Sequence, residues 1–349
     1  MTAYRLFAAL PIVAMGYAPA SAQLEGSGPS PLFSSHDVIE MTLAANLEEL
    51  MSDIDEDRSE HAALLSYRAP DGSIRSQGIK AETRGRYRRI SENCPFPPLR
   101  LNFDRSDVAE TLFDLQDKLK LVTHCRTDDH HYDQFVLQEY GLYRVFNVLT
   151  PRSFRVRLVR MTYLDVSGRH EPITRNAFLI EHIDDLARRV EGKVYEEQNV
   201  PRERLDFDQL TLLYLFEYMI GNIDWDVSML QNLDLIAPSR DGPYSPIPYD
   251  FDLADVIAPP GADRHPRLGP TALRHLLFAD FCRAQDDLEP YLDLFKRKKE
   301  DIYAVFDRLP GLTPERAAAT RRYFDQLYRV INSPRNVERE FLRPCRIQP

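Results

Sequence analysis

The sequence predicts an α+β chain in two lobes, a strand-rich first half followed by a helical second half. Three observations predict it. Apolar and polar residues alternate in short runs, as in Leu99-Arg100-Leu101-Asn102-Phe103 and Lys118-Leu119-Lys120-Leu121-Val122. One long helical repeat, about Tyr132 to Leu149, follows these strands. From Asp206 onward helical periodicity dominates. A chain of 349 residues suits one large or two intimate domains rather than one small core. The expected units are residues 1–22, a signal peptide; 23–34, a flexible leader; 35–185, a strand-rich lobe; and 186–349, a helical lobe.

In chain order, His36 to Asp53 carries an apolar helical repeat (Val38, Met41, Leu43, Leu47, Leu50, Met51), with Ser35 or Asp37 as its cap. Ala62 to Tyr67 and Ile74 flank Pro70-Asp71-Gly72, a turn signature, so a hairpin is expected. Ile79 to Tyr87 extends as a strand into Thr83-Arg84-Gly85-Arg86-Tyr87-Arg88-Arg89. Its four arginines read either as phosphate-facing or as a solvated strand. Period two puts Lys118 and Lys120 on one face, opposite Leu119 and Leu121.

In the helix that follows, Val136, Glu139, Tyr140 and Tyr143 fall at i, i+3, i+4 and i+7, so Glu139 lies on the apolar side. A carboxylate there is costly unless it is paired. A lysine from the preceding strand is the expected partner, as in protein kinases, where such a pair holds the ATP phosphates; a purely structural salt bridge is the alternative. His130 and His131 beside Asp128, Asp129 and Asp133 do not point the same way, and acidic residues at a helix start already suit the dipole, so no metal is expected there. Phe154 to Tyr163 reads as a strand with outward Arg155 and Arg157. Asp165 to Gly168 is a turn, and Arg175 to Ile180 a returning strand ending at Glu181. Asp184 or Asp185 starts a short helix.

The most apolar helix, Leu210 to Ile220, ends at Gly221, which takes the left-handed conformation that stops helices. It delivers Asp224 and Asn232 into a loop, and Pro248-Tyr249-Asp250-Phe251-Asp252 follows. One Asp to orient an attacking group, with an Asn and an Asp for a magnesium ion, is a common phosphoryl-transfer arrangement. An Asn/Asp-rich turn followed by an edge strand is the plainer reading. Helices about Pro270–Cys282, Asp287–Arg308, Pro314–Ile331 and Pro334–Phe341 close the chain, with Lys296 to Lys299 on a solvated face.

Composition narrows the class. Hydrophobic content of 43% and charged content of 28% fit a folded soluble protein. A formal net charge of −10 argues against non-specific nucleic-acid binding. Arg5, the apolar run Leu6 to Tyr17 and Ala20-Ser21-Ala22 form a secretory signal, with the mature chain starting at Gln23 and no membrane span remaining. In an exported chain, four cysteines suggest two disulfides, Cys94–Cys125 and Cys282–Cys345 being favoured among three pairings.

A strand-rich half, one helix, then a helical half with polar loops at the junction is a bilobal protein-kinase-like layout. From about Ile79 to Asp252 the residue pattern resembles the CotH family of secreted and spore-coat kinases. The similarity rests on Thr83-Arg84-Gly85, Leu99 to Phe103, Phe113 with Lys118-Leu119-Lys120-Leu121, the helix with Glu139, Phe178-Leu179-Ile180-Glu181 with Asp184, Gly221-Asn222-Ile223-Asp224, Asn232 and Pro248-Tyr249-Asp250-Phe251-Asp252. More closely, the chain looks like an uncharacterised exported bacterial branch of that type. The resemblance implies ATP and Mg2+ as cofactors and a protein hydroxyl as acceptor. It implies Lys118 at the ATP phosphates with Lys120 as alternate, Glu139 as their partner, Arg84 beside the nucleotide and Glu181 at the lobe hinge. Asp224 becomes the catalytic Asp, Asn232 and Asp250 the magnesium ligands and Asp252 a second possible ligand. Asp226 is expected to be a bystander. The alternatives are an inactive nucleotide-binding module, an AMP transferase on the same fold, and a carboxylate-metal hydrolase built from Asp224, Asp226, Asp250 and Asp252.

Overall fold

The computed structural model describes residues 30–69, 71–257 and 284–343. The expected signal peptide, the helix Pro270–Cys282 and the pair Cys282–Cys345 lie outside the described residues. The elements run β1 (Ile39–Ala45), α1 (Leu47–Ser52), β2 (His61–Arg68), β3 (Ile74–Thr83), β4 (Leu99–Asn102), α2 (Arg105–Val108), β5 (Lys118–Val122), α3 (His131–Leu149), β6 (Val156–Asp165) and β7 (Ile173–Ile180). They continue with α4 (Ile183–Arg189), β8 (Lys193–Tyr195), α5 (Phe207–Ile220), β9 (Leu233–Ala237) and β10 (Ser245–Pro248). Last come α6 (Gln285–Arg297), α7 (Lys299–Asp307), α8 (Pro314–Ile331) and α9 (Pro334–Val337).

The bilobal kinase-like expectation is overturned. The strands of the first half close into a seven-stranded barrel in the order β1-β2-β3-β4-β5-β7-β6. Closure comes from β1, which pairs antiparallel with β2 and parallel with β6, Met41 facing both Tyr67 and Met161. The helix expected from His36 to Asp53 contains this strand. Ile39, Met41, Leu43 and Ala45 are buried and the residues between them are not, a period of two that the helical repeat concealed. Only Leu47–Ser52 is helical, capped by Asn46, whose side chain accepts from the Glu49 N–H. A closed barrel leaves no unpaired edges and encloses its own core, including Leu65, Leu101, Leu119, Met161 and Leu179.

Other expectations hold locally. The β2–β3 hairpin turns at Gly72, whose φ is 83°, with Asp71 accepting from the Ser73 N–H at 2.9 Å. β4, β5, β6 and β7 lie where alternation placed them, except that Arg157 is buried and donates to the carbonyls of Leu32 and Ser35. Thr313 caps α8 with Pro314 following. The expected single helix Asp287–Arg308 is two, α6 and α7, meeting at Lys298.

A second core gathers the outer faces of β6 and β7, helix α3, the apolar helix α5 and the closing helices. Asp206 caps α5, accepting from the Gln209 N–H, and Gly221 ends it at φ 70°. β8, β9 and β10 form a small antiparallel sheet. Among the described residues no helix is long and apolar enough to cross a membrane.

Candidate functional site

Three stretches meet around one guanidinium, that of Arg88. It sits on a short 3-10 turn, Tyr87–Arg89, in the loop from β3 to β4. The loop is tied down at its base. The Asn93 side chain donates to the Tyr87 carbonyl, the Cys94 N–H donates to the Ile90 carbonyl, and Cys94 is joined to Cys125 by a disulfide. That is the expected pairing.

Arg88 reaches carboxylates from two other segments. One terminal nitrogen pairs with Asp250, Nε lies 3.1 Å from Asp252, and the other terminal nitrogen is 3.8 Å from Glu139. Glu139 comes from α3, where it is 2% exposed, as its place in the apolar repeat requires. One turn later Tyr143 accepts, at its hydroxyl, the backbone N–H of Asp250 at 2.8 Å. Asp250 holds a φ of 62°, uncommon for a residue with a side chain. Phe251 anchors this strained stretch. It is fully buried, its ring 4.7 Å from that of Tyr143 and 5.3 Å from that of Phe216.

The predicted partner of Glu139 is therefore corrected: among the described ion pairs it meets Arg88, not a strand lysine. Lys118 is exposed at the start of β5, beside Glu60. Lys120 turns inward, its ammonium 4.4 Å from the ring centre of Tyr249 and 5.9 Å from that of Phe154, a cation–π seat. Burial, then the charge of Arg84, lower its pKa, while Asp234 on β9 and Asp250 oppose them. Arg84 is half-buried close to Asp250, Arg88 and Glu139, and its Nε has no hydrogen-bond partner.

Asp224 and Asn232 form a second unit. Asn222 at the end of α5 accepts the Asp224 N–H at 3.0 Å. The Asn232 amide donates to the carbonyl of Asp224 at 2.7 Å and to its carboxylate at 2.9 Å, and Gln231 donates to the other carboxylate oxygen. The Tyr249 N–H donates to the Asn232 carbonyl, which joins this unit to the Asp250 stretch. Asp226 caps the turn by accepting the Met229 N–H. Glu181 is held apart: Arg189 grips it at 2.8 and 3.1 Å, and it accepts the Arg155 N–H.

The cluster sets its own charge states. Burial pushes the Glu139 carboxyl up to about 8, reinforced by Asp252 and Asp250. Arg88 offsets this only in part, since it lies beyond hydrogen-bond reach of Glu139 and closer to the two aspartates. Burial, with Asp250 and Asp224 adding, pushes Asp252 up to about 6. Burial works against the charge of Asp250 too, but Arg88, Arg84 and Lys120 hold its carboxyl below the usual range. A raised carboxyl makes the folded chain hold a proton that the unfolded chain has released. The Glu139 contribution is therefore fully present below its ordinary value of 4.5 and lost as pH rises through about 8. The denaturation midpoint is expected to fall across that window and the fall to be shallower in Glu139→Gln; an identical slope in urea melts would contradict it.

In this arrangement Asp250 and Asp252 do not fit a magnesium ion, because Arg88 already lies against both. Among the described residues, no group of three or more His, Cys, Asp or Glu is set to hold a metal. Sequence reasoning missed Arg88 as a site residue, along with Asp234 and Tyr249; an arginine run close to a cysteine in an acidic chain was its one signal.

No protein-family model matches the chain, and no characterised protein matches it in sequence. Among solved structures it is similar to a proinflammatory kinase of Helicobacter pylori, CtkA, at 8% identity, over 66% of this chain and 86% of that one, with a TM-score of 0.38. A structural neighbour of this chain is thus a kinase, at a likeness that carries no argument about its chemistry.

Proposed function

We propose that the chain is an exported phosphotransferase that moves the γ-phosphate of ATP to a hydroxyl of a protein substrate. The observation that carries this is the meeting of Arg84, Arg88 and Lys120 with Asp224, Asp250 and Asp252 in one half-buried cluster. Lys120 and Arg84 are the cations for the phosphates, and the unspent Nε of Arg84 is a donor for a phosphate oxygen. Asp224, held from both sides by Gln231 and Asn232, orients the acceptor. The acceptor oxygen bonds to the γ-phosphorus as the bond to the β,γ-bridging oxygen breaks. The electron pair leaves on ADP, and the hydroxyl proton goes to Asp224. Positioning and charge supply the catalysis. The signal-like pattern of residues 1–22 and the Cys94–Cys125 disulfide support the exported setting.

The test is transfer of label from γ-labelled ATP by purified mature protein, to itself and to a mixture of protein acceptors. Lys120→Ala is expected to lower transfer by roughly 10²–10³-fold. Equal labelling by wild type and variant would sink the proposed site. One observation favours a second reading, a nucleotide-binding module without transfer: Glu139 is paired with an arginine rather than a lysine. That reading predicts thermal stabilisation by ATP and no labelled product.

A further inference from the structure

The end of α5 holds a carboxyl for which the proposed reaction has no role so far. Glu217 is 0% exposed, and neither of its carboxyl oxygens has a hydrogen-bond partner. A buried polar group left unpaired costs free energy, so its presence needs a reason. Its neighbour is Asn222, which is 1% exposed. The Asn222 N–H donates to the Glu217 carbonyl at 3.0 Å and helps to close the helix. The Asn222 side-chain nitrogen faces the Glu217 carboxyl without completing a hydrogen bond, and it too is unpaired. The helix end is tightly packed, since a side chain at Gly221 would collide with the Tyr323 hydroxyl and with Asp255.

The other end of Asn222 reaches the loop of Asp224. Its Oδ1 accepts the Asp224 N–H at 3.0 Å, and its carbonyl accepts the Trp225 indole N–H at 3.3 Å. A carboxamide has an acceptor on one side and donors on the other. Turned this way, Asn222 gives its acceptor to Asp224 and its donors to Glu217. Turned over, it would set its donors against the Asp224 N–H. An acceptor at Glu217 therefore favours the orientation that holds Asp224. Burial pushes the Glu217 carboxyl well above the usual carboxylate range, Asn222 opposing and the charge of Asp224 adding. The group is thus kept as the neutral acid, which retains a carbonyl oxygen as acceptor and places no second charge behind Asp224.

We propose that Glu217 is the positioning residue of the Asp224 loop: its carboxyl fixes which way the Asn222 amide faces, and that amide holds Asp224 by its backbone N–H. This rests on the phosphotransferase reading for the reaction that Asp224 serves. The orientation of the loop is a property of the chain alone.

Glu217→Leu tests it in the mature, disulfide-intact protein. The change removes the acceptor and replaces an unpaired buried group with an apolar one of similar size. It is expected to raise the melting temperature by a few degrees. It is also expected to lower phosphate transfer about tenfold and to speed hydrogen exchange at the Asp224 amide about tenfold, the loss of roughly one hydrogen bond's hold. A merely structural role would move stability and transfer in the same direction. Glu217→Gln keeps a neutral acceptor and is expected to recover most of the transfer and of the amide protection. Glu217→Met takes the place of the leucine variant if that does not fold. Transfer and exchange both unchanged in Glu217→Leu overturn the proposal, as does a loss in Glu217→Gln equal to that in Glu217→Leu. If the wild type transfers nothing, yet exchange rises in Glu217→Leu and recovers in Glu217→Gln, the positioning stands and the phosphotransferase reading falls. Transfer by the wild type with exchange unchanged by either substitution has the opposite meaning.

Discussion

Phe251→Ala is expected to be the most destabilising single change near the site, costing about 3–5 kcal/mol. Phe251 is fully buried and stands between the two aspartates that face Arg88. Its ring contacts Tyr143 on α3 and Phe216 on α5, so it links the two helices that bound the cluster. Truncation leaves a cavity between them and removes the anchor that holds Asp250 at its unfavourable φ. The effect on the site should therefore exceed the effect on the barrel interior, which has a separate core. Urea melts followed by tyrosine fluorescence measure the loss of stability, and loss of ATP-induced stabilisation measures the damage to the site. Phe251→Leu, which keeps most of the volume, should recover most of both. A loss under about 1 kcal/mol in Phe251→Ala would show that the site is held from elsewhere.

The second large effect concerns chemistry. Asp224→Asn is expected to lower phosphate transfer by about 10²–10⁴-fold, the usual contribution of a positioned base. The substitution keeps one oxygen to accept from Gln231 or Asn232, so the loop between α5 and β9 should survive. What is lost is the carboxylate that takes the acceptor proton. ATP-induced stabilisation should persist, because the phosphate-binding cations belong to other segments, Arg84 after β3 and Lys120 on β5. Retained transfer in a folded variant would remove Asp224 from the mechanism. Asp226→Asn is the control. Its carboxylate accepts only the Met229 N–H within its own turn in the described contacts, so its replacement should leave transfer close to wild type.

Local signals in the sequence were enough for several features. Thr313-Pro314 set the start of α8, Gly221 the end of α5, and Asp71-Gly72 the turn of the first hairpin, because capping and turn chemistry act within a few residues. The 3.6-residue repeat put Glu139 on the buried side of α3, where it is found. Periodicity reports burial, but not the partner or the element across the space. Residues 36–53 satisfy a helical repeat, and what makes 39–45 a strand is the parallel pairing with residues 159–165, more than a hundred positions away. That pairing turns an open strand-rich half into a closed barrel. The partner of Glu139 was equally out of local reach. Lys118 and Lys120 had the right charge and the nearer strand, but the β3–β4 loop, tied by Cys94 and Cys125, brings Arg88 to the carboxylates first. Local signals reached the burial of Glu139 and the ends of α5 and α8, but not the burial of Arg157 or the strand within residues 36–53. Only the tertiary structure decided which cation answers the buried acids, because that depends on where a loop lands rather than on what any one segment prefers.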